Sequence, residues 1–149
     1  MQLTRAADYA VRVMIHLAGL PPGTRASRSQ LAEASECPEQ FLSKVLQGLT
    51  RAGLMVSHRG NTGGFELPEK RRSATVLEVV ESIEGPIQMN ACLNEADSCT
   101  RRGVCAAQAV WAEAQEAMVG VLRGVCVEDL ALREASARAS EPILVNESR

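Results

Sequence analysis

The residues with the clearest capacity for chemistry are three cysteines that fall within fourteen residues, Cys92, Cys99 and Cys105. The segment between them is polar and contains a glycine, which is typical of a loop. Three thiols on one loop can form a disulfide, bind a metal or cluster, or act as a redox switch. The spacing lacks the close cysteine pairs of most structural zinc sites, so the pattern alone leaves metal binding, thiol sensing and no special role open.

The other two cysteines stand alone in the sequence. Cys37 lies between two predicted helices, and Cys126 follows a long helical segment. Isolated cysteines are most often small core residues, so we expect neither to be a ligand. We expect the same of His16, on a helix, and of His58, in a hairpin.

Composition limits the classes to which the protein could belong. Its 149 residues are 46% hydrophobic but only 3% aromatic, which favours a helical domain with an aliphatic core. No apolar run approaches the roughly 18 residues of a membrane span, and the N-terminal segment has no apolar signal core. We therefore expect a cytoplasmic protein without a membrane partner, where clustered thiols more often bind metal or sense redox state than form disulfides.

Charge is divided unevenly along the chain. Residues 1–75 carry ten Lys and Arg against six Asp and Glu, a balance of +4, whereas residues 76–149 carry six against twelve, a balance of −6. The two balances sum to the formal net charge of −2. This asymmetry places any contact with a polyanion such as DNA in the first half.

Helical periodicity in the first half predicts a helix-turn-helix. A helix over residues 4–20 is followed by one that begins at Ser27, where Gln30 completes a capping box. A third helix, over residues 38–53, is expected to turn Phe41 and other apolar side chains inward, which leaves a polar face of hydrogen-bonding side chains. Two short helices with a tight turn, the second with such a face, are typical of DNA-binding helix-turn-helix proteins.

A β-hairpin is predicted directly after the third helix. Residues 54–57 and 65–67 are expected to be short strands around the turn-forming sequence RGNTGG, which makes the hairpin a wing. Its tip is suited to a phosphate or to the minor groove. The candidate DNA contacts are Ser27, Arg28, Gln40, Ser43, Lys44, Gln47, Arg59 and Asn61.

Two further helices are predicted after the wing. One begins at Thr75, which Glu78 completes as a capping box. The other, from about residue 104 to 125, repeats apolar residues in steps of three and four, a heptad pattern that typically pairs with a second helix. We expect a homodimer through this helix, although the stripe could also pack on its own domain. The candidate interface residues are Trp111, Ala114, Met118 and Val121.

The predicted fold is mainly α-helical with a small β-hairpin wing: a winged helix-turn-helix followed by a long dimerisation helix. The predicted organisation comprises a DNA-binding domain (1–72), a connecting helix (73–91), a cysteine loop (92–105), a dimerisation helix with its end segment (106–130) and a flexible tail (131–149). The tail shows no sustained hydrophobic pattern, which is why we expect it to be mobile.

Together these segments resemble the IscR/NsrR-type family of winged-helix bacterial regulators that sense through an iron–sulfur cluster. The resemblance covers about residues 1–130, and its most specific parts are the RG-x-x-GG wing and the three-cysteine loop after Glu-Gly-Pro. It implies a homodimer that binds a double-stranded, palindromic DNA operator. It also implies that Cys92, Cys99 and Cys105 hold a 4Fe–4S or 2Fe–2S cluster.

The resemblance also bears on the fourth ligand of such a cluster. IscR-type members use a histidine three residues after the third cysteine, whereas this sequence has Gln108 there, and glutamine is a poor iron ligand. NsrR-type members use an acidic residue near the N-terminus of the partner subunit, a position that Asp8 matches. Asp8 is equally consistent with a first-turn acid that the helix dipole stabilises.

The function that the resemblance implies is a transcriptional regulator, a repressor in its simplest form, that responds to nitric oxide, redox state or iron supply. Two alternatives remain open. One is a winged-helix regulator that uses its cysteines as a thiol or zinc sensor. The other is an iron–sulfur electron-transfer protein in which the helix-turn-helix pattern reflects packing alone. No nucleophile–base pair, phosphate loop or paired carboxylates indicate an enzyme.

Overall fold

The structure, a computed structural model, describes residues 3–94 and 99–140 of the chain. Within these ranges the elements follow in the order α1 (Arg5–Gly19), β1 (Arg25–Ala26), α2 (Arg28–Ser35), α3 (Glu39–Arg51), β2 (Val56–His58), β3 (Gly64–Glu66), α4 (Val76–Glu84), α5 (Ala106–Arg123) and α6 (Val127–Ser140). Short 3-10 turns lie at Glu69–Arg71 and Ala91–Leu93. The prediction of a mainly α-helical fold with a small β wing is confirmed.

Polar side chains fix where three of the helices begin. Thr4 caps α1 by accepting a hydrogen bond from a backbone N–H in its first turn. Ser27 with Gln30, and Thr75 with Glu78, form complete capping boxes at the starts of α2 and α4. Each box satisfies backbone groups that a helix start would otherwise leave unpaired, and both predicted boxes are confirmed.

Helix α1 forms the centre of the core. Its buried face, which includes Val13, Met14 and Leu17, packs among side chains of α2, α3, α4 and α6. Val127 and Ala131 of α6 are buried in the same cluster. The helix-turn-helix and the last helix therefore share one core, rather than forming a separate domain and an appendage.

The prediction of a flexible tail over residues 131–149 is wrong for residues 131–140. These residues belong to α6, which packs along α1, and the predicted single segment over 106–130 is divided between α5 and α6. The sequence of α6 carries no strong apolar stripe, and the helix buries only Val127 and Ala131. The predicted mobility of residues 141–149 lies outside the described part of the chain.

The wing belongs to a three-stranded antiparallel sheet in the order β1–β3–β2. Strands β2 and β3 lie one or two residues from their predicted positions, with Ser57 opposite Phe65. Strand β1, which pairs Arg25 with Glu66, was not predicted. A strand of two residues carries no periodicity, so no local pattern could have predicted it.

The described part of the chain covers helix α5 only partly. None of its residues is buried, although Met118 and Leu122 pack beside α4. Val110 and Val121 are 57% and 68% exposed on another face. No helix of the described ranges is long and apolar enough to cross a membrane.

Candidate nucleic-acid interface and cysteine loop

The turn between α2 and α3 fixes the geometry of the helix-turn-helix. Glu36 ends α2 in the left-handed conformation, with φ of 53°. The backbone N–H of buried Cys37 then donates to the carbonyl of Ala32, and Pro38 is the N-cap residue directly before α3. Helix α3 buries four apolar side chains and turns its opposite face outward.

The outward face of α3 carries the polar side chains that the sequence predicts. Gln40, Lys44 and Gln47 are exposed on it, and Ser43 is half-buried. Arg28 of α2 donates hydrogen bonds to Ser43 Oγ, at 2.6 Å, and to a carbonyl in the first turn of α3, at 3.1 Å. These bonds hold the guanidinium of Arg28 beside this face.

A cleft of about 680 Å³ separates α3 from the wing. Arg28, Arg51 and Arg59 line it, and none of its described lining residues is acidic. Three guanidinium groups without a carboxylate make this cleft attractive to phosphates and base edges. Arg51 was not among the predicted contacts, although its position four residues after Gln47 places it on the same face of α3.

The wing tip is a compact turn that presents Arg59 and Asn61 to solvent. The N–H of Gly63 donates to the carbonyl of Gly60 at 2.9 Å. An ideal Cβ at Gly63 would lie 2.5 Å from the carbonyl oxygen of His58, so the turn closes this tightly only with glycine there.

Two other side chains near this surface differ from the simple prediction. The hydroxyl of Ser27 caps α2 and lies 3.0 Å from the hydroxyl of Ser29, so the free protein uses it locally. Phe41 was expected in the core but is 47% exposed. Phe41 lies about a quarter turn from the centre of the buried face of α3. The apolar spacing in the sequence is too approximate to distinguish such an edge position from a buried one.

The three cysteines of the loop are spread along it, with one at each end and one between them. Cys92 lies in the 3-10 turn Ala91–Leu93, Cys105 directly precedes α5, and Cys99 lies between them; all three are half-buried free thiols. Residues 95–98, inside the predicted loop, lie outside the described part. The amide of Gln108 donates to the carbonyl of Cys92 at 3.4 Å, which ties the start of the loop to α5.

The donor set of this loop fits an iron–sulfur cluster in its chemistry. None of the three thiols is in a disulfide, and thiolates are the ligands that such clusters use. Among the described residues no three His, Cys, Asp or Glu side chains are already gathered as a metal site. A fourth donor from elsewhere would be needed, since Gln108 serves as a tether.

Asp8, the candidate fourth ligand, lies in the first turn of α1 with its side chain 55% exposed. Its carboxylate is 2.9 Å from the guanidinium of Arg12, which also lies 3.2 Å from Glu36 at the end of α2. These two carboxylates, Asp8 foremost, raise the pKa of Arg12. Arg12 therefore connects the candidate ligand to the turn of the helix-turn-helix.

The isolated cysteines have structural surroundings. Cys37 is a core residue, as predicted, and burial raises the pKa of its thiol. Cys126 is half-buried, and its backbone N–H donates to the carboxylate of Asp129 at 3.3 Å. Hydrogen bonds from Cys126 lower the pKa of Asp129. His16 is half-buried on α1, and His58 Nε2 lies 2.9 Å from the carboxylate of Glu66.

The candidate interface residues of α5 differ in how far they are exposed to solvent. Trp111 and Val121 are exposed, Ala114 is half-buried, and Met118 packs within its own chain. The apolar face that the described residues leave uncovered is therefore rotated from the predicted stripe toward Val110. It consists of Ala107, Val110, Ala114, Ala117 and Val121.

Comparison with known proteins identifies the family. The model of the Rrf2 family, described as an iron-dependent transcriptional regulator, matches residues 3–133. The chain belongs to the Rrf2 family. Protein aau3 of Rhizobium meliloti (strain 1021) is 36% identical over 132 residues, which cover 87% of this chain and 84% of that protein. The HTH-type transcriptional regulator NsrR of Shouchella clausii (strain KSM-K16) is 32% identical over 140 residues, which cover 93% and 94%.

Solved structures support the same assignment. CymR (YrzC), the global cysteine regulator of B. subtilis, has a TM-score of 0.71 and 26% identity, with 89% of this chain and 98% of that chain covered. IscR of T. potens shares the fold with a TM-score of 0.69 at 22% identity, over 95% and 93%. The chain is thus a transcriptional regulator of the Rrf2 family and not an enzyme, and the resemblance to IscR- and NsrR-type proteins is confirmed.

Proposed function

We propose that this Rrf2-family regulator is a homodimeric repressor whose affinity for a palindromic DNA operator is set by an iron–sulfur cluster in the cysteine loop. The observation that carries DNA binding is the cleft between α3 and the wing, lined by Arg28, Arg51 and Arg59 and by no described acidic residue. It adjoins an exposed row of hydrogen-bonding side chains on α3. Cationic groups position a protein on phosphates, and such polar side chains read base edges.

In the proposed complex, α3 enters the major groove with Gln40, Lys44 and Gln47 toward the bases. Arg59 and Asn61 at the wing tip reach the sugar–phosphate backbone or the adjacent minor groove. One α3 reads only half of a palindrome. Two copies of the chain must therefore hold their α3 helices about 34–36 Å apart, or at a multiple of that distance.

The uncovered face of α5 supports a dimer through this helix. Its 18 residues include none that is buried, and Val110 and Val121 expose most of their surface. The face has the three–four spacing of helices that pair, and burying it against a second copy removes its apolar side chains from water.

For sensing, Cys92, Cys99 and Cys105 would hold the cluster, and Asp8 of the partner subunit would supply the fourth donor. When bound, the cluster would be the sensing group, because nitric oxide, oxygen or loss of iron would change its composition. Breaking the ion pair between Asp8 and Arg12, so that Asp8 can bind the cluster, costs little free energy. The pair is exposed, and such pairs on helices contribute about 0.3–0.5 kcal/mol. A carboxylate is also a harder donor than a thiolate, which makes that ligand the weakest of the four.

Helix α4 would carry the state of the loop to α3. It packs against α1, α3 and α5, and the chain reaches the cysteine loop soon after α4 ends. Ile83 of α4 lies against Gly48 of α3, so a displacement of α4 displaces α3. In a dimer this changes the separation of the two α3 helices and produces the two states with different DNA affinity that a switch requires.

The test of DNA binding uses duplexes selected from a random library, with affinity measured by fluorescence anisotropy over a range of salt concentrations. We expect Arg51→Ala and Arg59→Ala each to weaken binding by about 1–3 kcal/mol if they read bases, or to lower the salt slope by about one unit if they contact phosphate. Arg133→Ala on α6, remote in the sequence from this cleft, is the control. Unchanged affinity and salt slope for both variants would remove the cleft from the interface.

A second candidate function keeps the regulator and replaces the cluster by a thiol or zinc sensor. Three half-buried free thiols on one loop favour it, as does the shared fold with the cysteine regulator CymR. Protein purified without oxygen distinguishes the two. Iron with bound sulfide and a brown colour support the cluster, whereas colourless protein with one zinc per chain or a reversible disulfide supports the alternative.

A further inference from the structure

Arg25 is outside the surface assigned to DNA, yet its side chain holds the wing from the other edge of the sheet. Its Nη1 donates a hydrogen bond to the carbonyl of Thr62 in the wing turn, at 3.1 Å. Its Nε lies 3.5 Å from the carboxylate of Glu66, the residue directly opposite on β3. Arg25 therefore contacts the hairpin at two points, one within the sheet and one beyond its end.

Short strands alone fix the wing tip only weakly. Strands β2 and β3 have three residues each and pair as far as His58 and Gly64. The carboxylate of Glu66 also lies 2.9 Å from His58 Nε2 of β2, so Glu66 on the central strand lies close to side chains of both neighbouring strands. The bond from Arg25 to Thr62 is the contact that reaches from this group into the turn.

We propose that Arg25 is a positioning residue for DNA recognition, which sets the orientation of the wing tip and hence of Arg59 without contacting DNA itself. The inference rests on the proposed function, in which Arg59 contacts DNA. Arg59 and Thr62 belong to the same turn, so fixing the carbonyl of Thr62 restricts where Arg59 points. Only a guanidinium has the rigid fork of donors that serves Thr62 and Glu66 together.

The test is a double-mutant cycle measured as affinity for a duplex selected with the wild-type protein. Arg25→Ala is expected to weaken binding about tenfold when Arg59 is present, and by less than about twofold in the Arg59→Ala background. Arg25→Lys keeps the charge but not the fork, and it should remain weaker than wild type. An equal loss in both backgrounds would show that Arg25 acts independently of the wing tip. Full affinity for Arg25→Lys would show that the two-point contact of the guanidinium is not needed. Either result would overturn the proposal.

A second measurement needs no DNA and separates this proposal from the proposed function. Amide hydrogen exchange in the free protein should be about tenfold faster at Gly63 in Arg25→Ala than in wild type, with the exchange of α1 and α3 unchanged. If Arg25→Ala does not fold, Glu66→Gln removes one of the two contact points and should raise the same rate. Unchanged exchange at Gly63 rejects the positioning role even if wild type binds DNA, whereas failure of wild type to bind any duplex rejects the function and, with it, the DNA role of Arg25.

Discussion

Gly48 of α3 and Ile83 of α4 approach so closely that an ideal Cβ on Gly48 would lie 2.7 Å from Ile83 Cδ1. Glycine in the interior of a helix is less favourable than alanine by about 1 kcal/mol. The contact with Ile83 explains why α3 nevertheless contains a glycine. The distance between α3, the proposed recognition helix, and α4, which leads to the cysteine loop, therefore depends on the absence of a side chain at position 48.

Enlarging Gly48 should test this packing. Gly48→Leu must push Ile83 and α4 away and is expected to destabilise the apo protein by about 1–3 kcal/mol in urea unfolding. Gly48→Ala should stay within about 1 kcal/mol of wild type, because better helix propensity offsets a shift of the flexible end of Ile83. Gly19→Leu is the control, since nothing lies within 4 Å of its Cβ position. A Gly48→Leu protein as stable as this control would contradict the packing described here.

Arg72 should contribute more to stability than its neighbour Arg71. Its Nε donates to Glu128 of α6 at 3.0 Å, and its guanidinium donates to the carbonyls of Ala18 and Leu20 at the end of α1. Arg72→Ala is expected to lower the free energy of unfolding by about 2–3 kcal/mol, because two partly buried carbonyls lose a charged donor. Arg71 lies 3.9 Å from a surface carboxylate, so Arg71→Ala should cost less than about 1 kcal/mol. Equal effects in urea unfolding would refute this role of Arg72.

Contacts between residues close in the sequence could be predicted, whereas contacts between distant residues could not. The capping boxes of α2 and α4 depend on residues three apart, so local sequence predicts them. The same holds for the wing turn, which its glycines mark. Arg72 and Glu128 are 56 residues apart, and Arg25 and Thr62 are 37 apart. No local pattern encodes such pairs, which is why α6 was expected to be a tail and β1 was missed.

The candidate functional residues also differ in whether local sequence could predict them. Lys44 and Gln47 could be predicted because helical spacing alone places them on the exposed face of α3. The tether from Gln108 to the carbonyl of Cys92 could not, because it depends on how α5 packs beside the loop. The orientation of α5 was predicted only approximately, since Val110 and Trp111 are both apolar and the heptad pattern does not choose between them.

Substitutions on α5 should separate assembly from folding. Val121→Glu places a charge on the uncovered face and should convert the proposed dimer to a monomer at micromolar concentration without loss of helical structure. Met118→Ala should instead lower stability by about 1–2 kcal/mol, less than for a fully buried methionine, because Met118 packs in its own chain. Ala109→Glu, a third of a turn from Val121, is the control. A Val121→Glu protein that still sediments as a dimer would rule out this face.

The four proposed cluster ligands should not respond alike to substitution. Replacing Cys92, Cys99 or Cys105 with Ala should abolish retention of iron and sulfide, because the remaining donors are too few. Asp8→Ala should assemble a cluster that loses iron faster, since it removes the weakest donor, and Asp8→Cys should slow the reaction with nitric oxide. Glu33→Ala, which removes another exposed carboxylate, is the control. Iron release from Asp8→Ala at the wild-type rate would exclude Asp8 as a ligand.

The most direct test of the central claim is the DNA affinity of one anaerobic sample before and after exposure to nitric oxide, with iron and sulfide measured on the same sample. We predict a dimer that contains iron and sulfide, binds the selected duplex tightly, and loses at least about tenfold in affinity after exposure, a coupling of about 1.4 kcal/mol. Arg59→Ala should bind weakly in both states. Protein that contains iron and sulfide but binds the duplex equally before and after exposure would contradict the account.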